Sequence, residues 1–151
     1  MRHRVLICVV SLLIPQFITQ SLAQTTAARV GQLTVTQAWS RPTPPAATVA
    51  AVYFSINNVG SKADLLLAVS SPIAARVELH ESRNVLGVLE MRELTSVPCP
   101  AGATVVSEPG GLHVMLLGLN RPLLAGTAFP LSLRFRDAGN LTLQIPVVNR
   151  E

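Results

Sequence analysis

The sequence is short of most of the groups on which common protein chemistry depends. It holds two cysteines in 151 residues, and one of them, Cys8, lies inside an apolar N-terminal run. Cys99 is then alone, which excludes an intramolecular disulfide, a Cys-x-x-Cys redox pair and a zinc site built on thiolates. Aromatic residues make up 4%, with Trp39 and Tyr53 the single members of their types, too few for a platform that stacks bases. Charged residues make up 13%, and the 8 acidic ones are dispersed, which argues against a calcium or magnesium cage. The 12 basic residues are scattered too; the net charge of +4 falls by two if Arg2 and Arg4 are removed. No concentrated positive face is left for nucleic acid. Neither a Ser/His/Asp set nor a pair of acids is evident, so catalysis is not expected.

What is present begins with an address. Met1-Arg2-His3-Arg4 is basic, Val5 to Ile14 is apolar apart from Ser11, and Ser21-Leu22-Ala23 offers small residues for cleavage. That order is expected of a secretory signal over 1–23, leaving a single domain over 24–151 in the periplasm or otherwise exported. The apolar run is too short for a stable anchor, and no later stretch is long enough to cross a bilayer. An exported, oxidising setting also favours metal ligands that do not pair by oxidation, namely histidine and methionine rather than cysteine.

The rest reads as β-structure. Leu33–Trp39, Ala50–Asn57, Asp64–Val69, Arg76–His80, Val88–Leu94, Ala103–Ser107 and Leu112–Leu119 are rich in β-formers and separated by turn residues. Leu131, Leu133 and Phe135 alternate with Ser132, Arg134 and Arg136, and Leu141, Leu143 and Ile145 mirror them across Asp137-Ala138-Gly139-Asn140. Short strands at regular spacing predict an all-β sandwich, whose rim can hold side chains rigidly while leaving them open to a partner. Trp39 is expected in the core, and Gly110-Gly111 is expected to serve a turn alone.

Beyond the N-terminal segment there are two histidines and two methionines, spaced His80-x10-Met91-x21-His113-x-Met115. His113 and Met115 lie two apart on one strand and share a face. His80 is expected to end a strand whose hairpin partner carries Met91, the chain turning near Asn84 to Gly87. Two imidazoles with two soft, uncharged thioethers select Cu(I). Zinc prefers thiolate, imidazole or carboxylate, and a blue-copper centre needs a cysteine that Cys99, set between two prolines, is not expected to supply. Glu81 is read first as a solvated surface carboxylate, with orienting a histidine ring as the alternative.

Taken together, this spacing resembles that of the periplasmic copper chaperones of the PCu(A)C type. The resemblance runs from about Val35 to Val148 and includes Ala38-Trp39-Ser40-Arg41-Pro42, Leu79-His80-Glu81 and Pro109-Gly110-Gly111-Leu112-His113-Val114-Met115-Leu116. A further methionine that family members often carry is replaced here by Leu89. The resemblance implies a cupredoxin-like Greek-key β-sandwich, one exposed Cu(I) site and copper homeostasis as the setting. It also implies delivery to a copper-accepting protein, either a cytochrome oxidase subunit, towards the CuA centre, or another copper chaperone. A monomer is expected. The competing reading is a metal-free periplasmic interaction module that uses the same sandwich rim.

Overall fold

A computed structural model describes residues 27–150. The expected signal, 1–23, lies outside the described residues. Eleven strands follow one another in the described chain: β1 (Ala28–Val30), β2 (Leu33–Ser40), β3 (Val49–Asn58), β4 (Asp64–Ser70), β5 (Ala74–Val85), β6 (Val88–Leu94), β7 (Val97–Cys99), β8 (Thr104–Val106), β9 (Leu112–Leu119), β10 (Ala128–Phe135) and β11 (Asn140–Pro146).

They form two sheets. The larger runs β1-β2-β3-β9-β5-β6, with β8 also paired to β3, and the smaller runs β11-β10-β4-β7. β9 and β8 share one edge of β3: Val49–Val52 pair with Val114–Leu117, and Ser55–Asn57 pair with Thr104–Val106. Every strand pair is antiparallel, apart from one isolated parallel bridge between Ser40 and Val147.

The core lies between the sheets and follows the two-residue period. From the larger sheet come Val52, Phe54, Leu79, Val114 and Leu116; from the smaller come Leu66, Phe129, Leu131, Leu133 and Ile145, all buried. Each such side chain contributes about 1.5–3 kcal/mol on burial. The opposite parity of the larger sheet faces outward, so the polar residues there are not needed to close the core.

Two local features shape that outward face. Gln37, at φ 55°, is the extra residue between the Thr36↔Ser55 and Trp39↔Tyr53 pairs, a bulge that turns Trp39 out alongside Tyr53. Leu86 and Gly87 have φ of 52° and 86°, the two positive values of a type I′ turn between Val85 and Val88. The Asn84 side-chain oxygen accepts the Gly87 N–H at 2.8 Å and closes that turn.

The structure departs from the sequence reading in three places. β5 continues through His80 to Val85, so His80 lies inside a strand rather than at its end. Its twelve residues are held by β9 on one side and β6 on the other. Cys99, read as part of a loop, belongs to β7 and is fully buried against the core. A short strand that the sequence reading did not include, β1, pairs with β2.

Candidate metal centre

The register of the larger sheet brings the four candidate ligands to one face. His80 on β5 is directly opposite His113 on β9. Glu78 is opposite Met115, and Met115 is opposite Ala51 on β3. On the other side of β5, Ser82 is opposite Met91, which puts Met91 diagonal to His80 on the same face. The two imidazole centroids are 5.9 Å apart.

Met91, His113 and Met115 line one surface depression of about 330 Å³ together with Tyr53, Ser82 and Leu89. His80 stands at its side, with its ring against His113. Instead of a gap between the sheets, the site occupies the outward face of the larger sheet, at the end where β9 begins.

Hydrogen bonds fix which nitrogen of each ring is free. The Nδ1–H of His113 donates to the Gly111 carbonyl at 2.9 Å, which leaves Nε2 with its lone pair. Gly111 reaches this place through the turn Glu108–Gly111, closed by Gly111 N–H to Glu108 O at 3.0 Å. The same Gly111 carbonyl accepts the Ser82 N–H at 3.0 Å and so ties β5 to the turn. Gly110 has φ of 81°, which the turn requires; Gly111 serves the histidine as well as the turn.

On His80 the roles of the nitrogens are reversed. Its Nε2–H donates to Glu78 Oε2 at 2.9 Å, and both side chains are largely buried, 13% and 16% exposed. Its Nδ1 is buried and lacks any hydrogen-bond partner. Leaving a buried polar atom unpaired costs about 1–3 kcal/mol, so this nitrogen is the one atom of the ring that a ligand could still satisfy.

Glu81, the sequence candidate for orienting a ring, lies on the other face and pairs with Arg83 at 2.8 Å and Arg92 at 3.5 Å. The orienting carboxylate is Glu78, two residues before His80. Its parity with His80 was readable once the strand was extended, because residues two apart share a face.

Aromatic packing backs the site. Tyr53 lies 6.5 Å from His113 between ring centroids, and Trp39 lies 4.8 Å from Tyr53. Burial of the Tyr53 hydroxyl raises its pKa, against a smaller lowering by Arg41. The guanidinium groups of Arg41 and Arg150 cover the Trp39 ring at 5.7 and 5.2 Å. Trp39 is therefore buried, as expected, but beneath two arginines on the outward face instead of between the sheets.

Among the described residues, no three His, Cys, Asp or Glu side chains are grouped so as to hold a metal ion. The other soft donors on this face are the methionine sulfurs of Met91 and Met115, a donor type that favours a soft monovalent ion.

An antiparallel sandwich with a His/Met cluster on its larger sheet is a cupredoxin-like fold of the PCuAC class. The likeness to solved structures agrees: the apo PCuAC domain of PmoF1 superposes with a TM-score of 0.71 at 25% identity, covering 82% of this chain and 99% of that domain. The copper-bound PCuAC domain of PmoF2 gives 0.70 at 23%, covering 82% and 98%, which speaks for the fold alone. The Cu(I) form of DR1885 from Deinococcus radiodurans gives 0.58 at 25%, covering 87% of this chain and 85% of that one.

The sequence model of the family described as "Putative lipoprotein LpqE-like" matches residues 33–147, and the chain belongs to that family, which is of the PCuAC type. A putative lipoprotein of Leifsonia xyli subsp. xyli is 33% identical over 126 residues, covering 83% of this chain and 75% of that protein. An uncharacterised protein of Rickettsia prowazekii is 29% identical over 117 residues, covering 75% of this chain and 65% of that protein.

Proposed function

We propose that this chain is an exported copper chaperone that holds one Cu(I) with His80, Met91, His113 and Met115 and passes it to another protein. The observation that carries the reading is the pairing of two pre-oriented imidazoles: each ring has one nitrogen tied by a 2.9 Å hydrogen bond and the other left free. Copper would take His80 through Nδ1 and His113 through Nε2, with the two thioethers completing the set. The Cu(I) form of DR1885, at 25% identity, supports the choice of metal.

Release follows from ligand chemistry and exposure. Met91 is 51% exposed, whereas His113 is buried. A recipient's thiolate or imidazole therefore reaches the ion most easily from the Met91 side, displacing that thioether first. A neutral thioether leaves without a proton. The imidazoles bind only when unprotonated, so affinity falls in acid. The recipient is a cytochrome oxidase subunit, towards the CuA centre, or another copper chaperone. Among the described residues no helix is long and apolar enough to cross a membrane.

The test is a Cu(I) titration of the purified protein against a competing chelator, repeated with His113→Ala and Met115→Ala. One ion per chain, with a large loss of affinity in both variants, is expected. Unchanged stoichiometry and affinity in both would overturn the ligand assignment, and an unaltered protein that takes up no copper would return the chain to the class of metal-free interaction modules.

A further inference from the structure

Strand β6 is the last strand of the larger sheet on its side, and from Val88 to Glu93 it is exposed at every position. Val85 and Val88 flank a two-residue turn, so they are the hydrogen-bonded pair at its mouth. Along an antiparallel ladder bonded and non-bonded pairs alternate. Val88, Glu90 and Arg92 therefore direct their backbone groups to β5, and Leu89, Met91 and Glu93 direct theirs outward. The register between β5 and β6 is unbroken from Leu79↔Leu94 to Val85↔Val88, and β6 contains no proline. Two devices that spoil an open edge, bulges and prolines, are missing from this strand, while a third, charged side chains, is present at Glu90, Arg92 and Glu93.

The charges on the strand are ordered. Glu81 is opposite Arg92 and Arg83 is opposite Glu90, so signs alternate both along and across the hairpin. We propose that two copies of this chain join antiparallel through β6, centred on Met91. In that register Glu90 of one copy faces Arg92 of the second, and the reverse, as the close non-bonded pairs. The row across four strands becomes Glu81, Arg92, then Glu90 and Arg83 of the second copy, with each charge beside its opposite. Val88 faces Leu94 of the second copy, an apolar pair. The outward backbone groups of Leu89, Met91 and Glu93 are all consumed. Moving the centre by one residue in either direction puts like charges or mismatched faces together.

The pairing stands on the edge and its charges and does not depend on copper. If copper binds as proposed, the two Met91 side chains lie directly opposite, about 5 Å apart at Cβ. Each ion then has a second copy's thioether beside its most exposed ligand, a built-in first acceptor. The single-chain expectation from the sequence gives way to a weak, reversible dimer, because one strand pair is a small interface.

Sedimentation of the purified protein from roughly 10 µM to 1 mM, with copper chelated, tests this. The unaltered protein should shift towards twice its mass across that range. Glu90→Arg and Arg92→Glu should each stay at single-chain mass, because each places two like-charged pairs at the seam. Mixed in equal amounts, the two variants should associate again, since arginine at 90 then meets glutamate at 92 and arginine at 92 meets glutamate at 90. Mixing changes nothing within either chain, so a folding defect cannot imitate the result. A single-chain mass at every concentration, self-association of Glu90→Arg equal to the unaltered protein, or a mixture that does not associate would each overturn the proposal. Association that needs copper would mean bridging by the ion and would overturn it too.

Discussion

Replacing Glu78 with alanine removes the acceptor that sits 2.9 Å from His80 Nε2 and leaves the ligand itself in place. Two things are then lost. The ring is no longer held at one torsion, and its proton is no longer kept on Nε2, so Nδ1 is free to carry the proton and withhold its lone pair. Loss of such an outer partner typically lowers metal affinity 10–100-fold, about 1.4–2.7 kcal/mol. Arg76 is not responsible: it lies 3.6 Å from Glu78 and is 71% exposed, so that ion pair is worth under about 1 kcal/mol. Glu78→Gln keeps an oxygen that accepts from Nε2 and removes only the charge; it should cost less than about tenfold. The assay is Cu(I) competition against a chelator at fixed pH, with Arg76→Ala as the control expected to match the unaltered protein. Glu78→Ala binding copper as tightly as the unaltered protein, while His80→Ala does not, would refute the role given to the carboxylate.

Asp64 accepts N–H bonds from Leu65, Asp137 and Ala138 at 2.7, 3.0 and 2.8 Å and pins the β10–β11 turn to β4. Its burial pulls the pKa up, but the three bonds and Arg136 outweigh it, so the carboxyl titrates below its ordinary value. Its stabilising contribution is present above the unfolded-state pKa and is lost as pH falls through the folded one. Asp64→Asn should cost about 1.5–3 kcal/mol at neutral pH, and urea midpoints should show the gap closing below about pH 4; a gap that persists in acid counts against this account. Cys99 is fully buried, and burial pushes its thiol up to about 11, so it stays protonated. Cys99→Ala should leave copper stoichiometry unchanged and cost about 1 kcal/mol of stability; loss of the ion would make the thiol a ligand. Gly118 has φ of 68°, and an added Cβ would lie 2.9 Å from Ala75 Cβ, so Gly118→Ala should cost about 1–3 kcal/mol, read as a lower urea midpoint at unchanged slope.

Much of the fold is legible in the sequence because strand parity is written directly into side-chain type. Leu131, Leu133 and Phe135 announce β10, and the turn residues between elements mark the hairpins. What escapes is set by long-range pairing. Nothing local says that β5 runs on to Val85; the β6 partner makes it do so. Cys99 reads as loop because prolines flank it, yet β4 pairs with Val97–Cys99 and carries it into the core. At the site, the four proposed donors follow from composition and spacing, but the groups that hydrogen-bond the histidine rings do not. Glu81 and Glu78 are both near His80 in the sequence, one and two residues away, and the face on which each lies separates them. Gly111 contributes a backbone carbonyl, which no residue type announces. Tyr53 is found only when Val52 and Phe54 are known to face the core, leaving it on the ligand side.

Strand β9 shows why the site sits where it does. Val114 and Leu116 are buried in the core, while His113 and Met115 leave the same strand in the opposite direction. One set of residues secures the strand and the other works, so ligand chemistry is added without taking apolar material from the core. Had the imidazoles pointed between the sheets, each unpaired nitrogen would cost about 1–3 kcal/mol against a fold that closes on aliphatic contacts. On the outward face the cost is borne by one nitrogen, Nδ1 of His80, and the proposed copper ion would remove it. The alternation also makes the strand intolerant of length change: one residue inserted between Leu112 and Leu116 would exchange ligand and core faces for part of β9. Single substitutions of the outward residues, by contrast, should alter affinity far more than folding.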